Sequence, residues 1–203
     1  MNDSGVGRLL VASLHQGIAD LLPSRLEFYE SWLHASGLRE GRIGLAPLAA
    51  VLSFLRQEGE AYRLVAGRAG EYSAEWTVAE LAAFERTCVR AMPDAIRLRL
   101  VTRIARRMVR QTYGGSRARA RWRKGRGSFD IRGSIFCEVR DAAEQPLCEF
   151  YAAAIRRLMQ LFNIDVDVDT DRCRATGGGQ CLMSVQVRQP STTPEHGAAG
   201  VET

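Results

Sequence analysis

Residues 163–188 read NIDVDVDTDRCRATGGGQCLMSVQVR. Ile164, Val166 and Val168 alternate with Asp165, Asp167 and Asp169. A period of two is what a strand with one buried and one wet face produces. Cys181 to Arg188 reads as a second strand, and Gly177, Gly178 and Gly179 as the tight turn between them. Those glycines are not a dinucleotide cradle, which needs G-x-G-x-x-G opening a helix after a strand. Cys173 and Cys181 flank the loop, and the aspartates lead into Cys173. The chain therefore closes on a hairpin that carries two thiols and needs a cover for its apolar side.

The cover lies just upstream. Pro146 to Phe162 is expected to be a helix, with Phe150, Ala153, Ala154, Leu158 and Leu161 as its buried stripe and Cys148 at its start. A helix plus a strand separates Cys148 from Cys173, so the helix start can return beside the strand end. Three thiolates and one carboxylate there could form a closed tetrahedral zinc site. Free cysteine is also among the most buried residue types, and Cys88 reads as a small core hydrophobe.

Further upstream, Ala118, Ala120 and Trp122 alternate with Arg117, Arg119, Arg121 and Arg123, another strand signal. Gly125-Arg126-Gly127 reads as a turn. Ser128–Arg132 and Ser134–Arg140 read as strands with a bend at Gly133. The first half is helical: Gly7–Leu22, Ser24–Ser36, Leu45–Arg56, Thr77–Met92 and Pro93–Tyr113. Gly67 and Gly70 read as a break, and Thr77 with Glu80 as a capping box. Ile96, Leu100, Ile104 and Met108 are expected to form the core face of the fifth helix. Helices, then strands, then a helix and two strands predict an α+β fold, an antiparallel sheet packed with helices. We expect one ligand-binding domain over residues 1–189, its N-terminal stretch 1–113 helical and its remaining stretch 114–189 carrying the sheet. The Pro-, Thr- and Gly-rich tail 190–203 is expected to be disordered.

The chain has 203 residues, a net charge of +5 and five cysteines. An odd cysteine count fits reduced thiols or metal ligation better than a disulfide framework. No apolar run approaches a membrane span, and no signal peptide is evident, so a cytoplasmic location is expected. From Arg97 to Arg132 there are twelve Arg and one Lys against one acid, Asp130. Such clustering suggests an anionic partner. Nucleic acid is not expected, because only Trp122 and Phe129 interleave with the basic residues and no binding motif is present. His15 and His34 sit on expected helices as ordinary helix histidines. No G-x-S-x-G, P-loop or H-E-x-x-H occurs, and no acid–base pair stands out.

The segment from about Ser134 to Val187 resembles the 4-vinyl-reductase domain family. Ile135-Phe136-Cys137-Glu138, Pro146-Leu147-Cys148-Glu149-Phe150-Tyr151-Ala152-Ala153-Ala154, Asp171-Arg172-Cys173 and Ala175-Thr176-Gly177-Gly178-Gly179-Gln180-Cys181 carry the likeness. Arg97 to Tyr113 followed by Gly114-Gly115-Ser116, and Cys148 to Ala153, are similar to bacteriochlorophyll 4-vinyl reductase proteins. The resemblance implies a fold shared with TRAPP-type trafficking subunits and with small-molecule and NO-signalling sensor domains, enclosing an apolar cavity. It also implies a structural zinc held by three cysteines and an acid: Cys148, Cys173, Cys181 and, because Thr170 stands where the family has its acid, Asp171 or Asp169, with Asp171 preferred as nearer the thiolates.

The activity implied is a role in bacteriochlorophyll synthesis, on a divinyl chlorophyllide-type tetrapyrrole. A closed metal site and the lack of any nucleotide or redox-cofactor fingerprint favour a carrier or assembly factor, working with other pigment-synthesis enzymes, over a catalyst acting alone. Trp122, Phe129, Phe136 and Tyr151 are the candidate walls of the ligand site, with Arg119 or Arg121 on the propionate. The alternative is a sensor or interaction domain for another hydrophobic molecule. Homodimerisation is left open.

Overall fold

The computed structural model describes residues 6–32, 44–139 and 142–188. The helical half comprises α1 (Arg8–Leu21), α2 (Leu26–Trp32) after a 3-10 turn at Pro23–Arg25, α3 (Leu45–Gln57), α4 (Glu60–Ala79), α5 (Ala83–Ala91) and α6 (Asp94–Thr112). Then come β1 (Arg117–Arg123), β2 (Arg126–Arg132), a 3-10 turn at Ile135–Cys137, α7 (Glu149–Leu161), β3 (Val166–Arg172), a 3-10 turn at Arg174–Thr176 and β4 (Cys181–Val187). The fold is α+β, as expected. Its sheet has the order β1-β2-β4-β3 and is antiparallel throughout. Among the described residues no helix is long and apolar enough to cross a membrane.

Alternation decides which sheet face is covered. Ala118, Phe129, Ile131, Val166, Val168, Met183 and Val185 are buried on one side. There α7 packs on β3 and α6 on β1, while α4 crosses α7 and α1 packs on α4. One hydrophobic cluster runs from Val6 to Val185, so the helical half and the sheet share a core.

Three expectations are corrected. Gly67 and Gly70 do not break a helix; both lie inside α4. Gly70 is a contact notch: a Cβ there would stand 2.1 Å from the Phe150 carbonyl oxygen of α7. Thr77 is not an N-cap. It sits near the end of α4, where its hydroxyl donates to the Ser73 carbonyl at 2.7 Å, and the next helix begins only at Ala83. The expected strand Ser134–Arg140 is not formed over its described residues, 134–139. Gly133 takes φ +66°, and Ile135, Phe136 and Cys137 are then all buried in sequence, which a period of two forbids.

The face of α6 is also rotated from the expected one. Val101, Thr102, Ala105, Met108, Val109 and Thr112 are buried, whereas Ile96 is 46% exposed. The second expected helix is α2 up to Trp32; its remainder and His34 lie outside the described residues, as does the tail 190–203.

Candidate metal centre and ligand surfaces

Four chain segments converge on one buried point. The bend at Gly133 and the 3-10 turn carry Cys137 inward. Cys148 precedes the first turn of α7, and its carbonyl accepts from the amides of Tyr151 and Ala152. Cys173 follows β3, and Cys181 opens β4 opposite Ile131 of β2. The loop between the last two folds over the Cys173 carbonyl, which accepts from the amides of Thr176 and Gly178 and from the Thr176 hydroxyl.

The four thiols are buried, and their sulfur atoms all lie within 4.8 Å of one another. Cys137 Sγ is 3.1 Å from Cys148 Sγ and 3.5 Å from those of Cys173 and Cys181; Cys148 Sγ is 3.2 Å from Cys173 Sγ. These are not disulfide lengths, which are about 2.05 Å. They approach the roughly 3.8 Å edge of a tetrahedron with metal–sulfur bonds of about 2.3 Å. The residues present therefore fit a four-coordinate thiophilic cation.

Electrostatics point the same way. Thiol hydrogen bonds from Cys137, Cys148 and Cys181, then the Leu147 amide at 3.4 Å, hold the Cys173 thiol well below its ordinary range against the effect of burial. Thiol hydrogen bonds with Cys137, Cys173 and Cys181, together with burial, push the Cys148 thiol up. The thiols of Cys137 and Cys148 hold the Cys181 thiol down as well, so negative charge gathers in this apolar place, and four thiolates need a cation beside them.

Two side chains from the helical half brace the loops that hold the cysteines. Arg56 of α3 donates to the Phe136 carbonyl at 3.0 Å, and Tyr62 of α4 donates to the Leu147 carbonyl at 2.9 Å. Burial raises the Tyr62 phenol far above its usual range, so it keeps the proton that it donates.

Against the residues expected, the structure brings Cys148, Cys173 and Cys181 together but sets Asp171 aside. The Asp171 carboxylate lies on the wet sheet face and accepts from the Ser184 hydroxyl at 2.8 Å; Asp169 is on the same face, and Cys137 stands in the fourth place. Alternation alone would put Cys173 on the wet face with Asp169 and Asp171; the irregularity between Thr170 and Arg172 shifts the parity, so that Asp171 stays in water and Cys173 turns to the thiols. Cys137 was missed because a strand over 134–140 gave it no reason to point inward. The signal available was a sequence with Thr170 where the family has an acid and a spare cysteine eleven residues before Cys148.

The expected ligand residues are split between two sides of the sheet. Trp122, Phe129, Phe136 and Tyr151 all lie on the helix-covered side. Phe136 stacks on Phe150 with centroids 4.6 Å apart and meets Tyr151 edge-on at 5.7 Å. Trp122 is edge-on to Phe129, and its Nε1 donates to Thr102 Oγ1 at 3.0 Å. Phe129, Phe136 and Tyr151 are fully buried, so these rings fill the space they were expected to line. Arg119 and Arg121 are exposed on the opposite face and cannot meet a ligand held among them. An open cleft of about 460 Å³ lies elsewhere, between α3, α4 and the approach to α7, lined by Arg56, Tyr62, Arg63, Val139, Pro146 and Leu147 among others.

Residues 128–187 match the family model of the 4-vinyl-reductase domain. No curated protein sequence matches the chain. Among solved structures, an H-NOX protein from S. oneidensis in the Fe(II)NO ligation state is similar at 12% identity and TM-score 0.50, over 91% of this chain and 100% of that one. The phenol-responsive sensory domain of the transcription activator PoxR with phenol gives 15% identity and TM-score 0.48, over 68% and 73%. A trafficking protein particle complex subunit 3 from Naegleria fowleri, covalently bound to palmitic acid, gives 13% and 0.49, over 80% and 92%. The H-NOX likeness concerns the fold alone. The segment that holds all four clustered cysteines, residues 128–187, is thus similar to the 4-vinyl-reductase domain.

Proposed function

We propose that the chain is a small-molecule-binding domain of the 4-vinyl-reductase type, held in shape by a structural zinc ion on Cys137, Cys148, Cys173 and Cys181. The observation that carries the reading is the placement of a buried four-thiol cluster inside the segment matched by that family model. When bound, the ion would neutralise the thiolates and tie four segments together. With four protein ligands it leaves no open position, so its role is structural.

The ligand proposed is a divinyl chlorophyllide-type tetrapyrrole in bacteriochlorophyll synthesis, bound by a carrier or assembly factor. This rests on the similarity of Cys148 to Ala153, and of Arg97 to Ser116, to bacteriochlorophyll 4-vinyl reductase proteins. The cleft beside α3 and α4 is its seat in this reading. Arg56 there suits a propionate, Arg63 being held by Glu60 of the same cleft at 2.6 Å, while Val139, Pro146 and Leu147 offer apolar contact. The filled interior favours a second reading, a sensor or interaction domain for a smaller hydrophobic molecule.

Absorption spectroscopy and metal analysis of the purified protein, with and without divinyl chlorophyllide, test both. A red-shifted pigment band that saturates at one per chain is expected. Zinc at one per chain with no saturable pigment binding would overturn the tetrapyrrole role and leave the sensor reading.

A further inference from the structure

The sheet face turned away from the helices carries an ordered charge pattern. The register sets Arg123, Arg126, Gln186 and Asp167 in one line across the four strands. Arg121, Ser128, Ser184 and Asp169 form the next line. Arg119, Asp130 and Leu182 form a third, which meets β3 at the irregularity around Asp171 and Arg172. The β1 edge is thus basic, the β3 edge mainly acidic, and the middle low and neutral at Ser128 and Ser184. A depression of about 430 Å³ borders Arg119 and Arg121, and another of about 420 Å³ borders Asp167 and Asp169.

Contacts within the chain leave part of this pattern unmatched. Arg188 takes Asp165 and Asp167, and Arg132 takes Asp130. Among the described residues Asp169 has no ion-pair partner, and Asp171 has only the Ser184 hydroxyl. Arg119, Arg121 and Arg123 have no acidic partner among them either.

We propose that this face docks on the same face of a second copy of the chain, about a twofold axis parallel to the strands and over Ser128 and Ser184. Such a rotation reverses the order of the strands and preserves height along them. Arg121 then meets the partner's Asp169 and, because the Asp171 carboxylate is held by Ser184 of that same line, the partner's Asp171 beside it, with every pair made twice, while Arg119 falls at the level of the partner's Arg172. Other occupants match only half of the pattern. Nucleic acid or an anionic membrane would suit the β1 edge and be repelled by the β3 edge. The chain's own residues 189–203 contain Glu195, Glu202 and one histidine, His196, but no Lys or Arg, so they offer little to the aspartates at neutral pH. The proposal is independent of what ligand the domain binds.

Size sets the strength. Four strands of seven residues, about 4.8 Å apart and with about 3.3 Å per residue, present roughly 440 Å² a side. Standard interfaces bury about 800 Å² per partner, so the dimer is weak and depends on concentration and salt.

Analytical ultracentrifugation of the full chain, at up to about 100 µM to suit a micromolar Kd, is the test. At an ionic strength of about 0.05 M a dimer is expected, dissociating about tenfold more readily at about 0.5 M. Arg121→Asp and Asp169→Arg should each raise Kd about tenfold or more, and the two together should restore it by exchanging the charges across the axis. Both positions are exposed, and circular dichroism would check that the variants fold. A chain that stays monomeric throughout, or a dimer indifferent to both single reversals, would overturn the proposal.

Discussion

The identity of one side chain separates the metal centre expected from the sequence from the one the fold builds. Cys137 is inside the thiol cluster and Asp171 outside it. Cys137→Ala should therefore weaken zinc retention by more than about tenfold and cost about 4 kcal/mol or more, as loss of a metal does. Asp171→Ala removes one exposed hydrogen bond and should change stability by less than about 0.5 kcal/mol, with zinc content intact. Metal analysis and thermal melts of the two variants check this; equal effects would mean that the carboxylate belongs to the site. The sequence made Cys148, Cys173 and Cys181 legible because a helix start and a hairpin loop are strong local signals. Cys137 was not legible, since its direction depends on a positive φ at Gly133 and a single 3-10 turn, and neither has a periodicity to read.

Among the elements, hairpin β3–β4 and helix α7 could be read from alternation and helical spacing, and the strands β1 and β2 likewise. Helix α4 could not. Its glycines look like punctuation until the helix lying against them is known. Gly67 and Gly70 have different surroundings. A Cβ at Gly67 meets Glu149 Cγ at 3.4 Å, an ordinary contact, whereas one at Gly70 meets the Phe150 carbonyl at 2.1 Å. Gly70→Ala should thus force α4 from α7 and destabilise the protein by about 3 kcal/mol. Gly67→Ala should be neutral or gain about 0.5 kcal/mol from helix propensity. Chemical denaturation of both reads the difference, and matching values would refute the notch. The rotated face of α6 has a related cause. Ile96 and Leu100 satisfy the helical period, but the helix turns Leu98, Val101 and Ala105 to the core instead and leaves Ile96 exposed.

At the scale of the molecule, zinc binding couples to folding. Each ligand must be a thiolate, so protons compete with the ion, and stability should fall as pH drops below neutrality. A strong chelator at neutral pH should lower the melting temperature in the same way, and Cys137→Ala should be insensitive to it. A melting temperature unchanged by both chelator and acid would remove the ion from the account. The overall α+β plan was legible because composition, order of elements and strand alternation agree. The filled interior was not, since four aromatic rings on one side of a sheet are read equally well as the lining of a cavity or as its contents, and only their packing distances decide.

Arg56 and Tyr62 hold the carbonyls of Phe136 and Leu147, each beside a clustered cysteine, yet both lie well before residue 128, where the family match begins. The stretch that matches the family model is therefore shorter than the stretch that makes the cysteine pocket. A fragment of residues 128–187 keeps four thiols but loses two of the struts that set their spacing, along with α4, the helix that carries the Gly70 notch. It should bind zinc more loosely than the whole chain and melt without cooperativity. Likeness and architecture draw their boundaries in different places here, and a transplant of the cysteine pocket would have to follow the second.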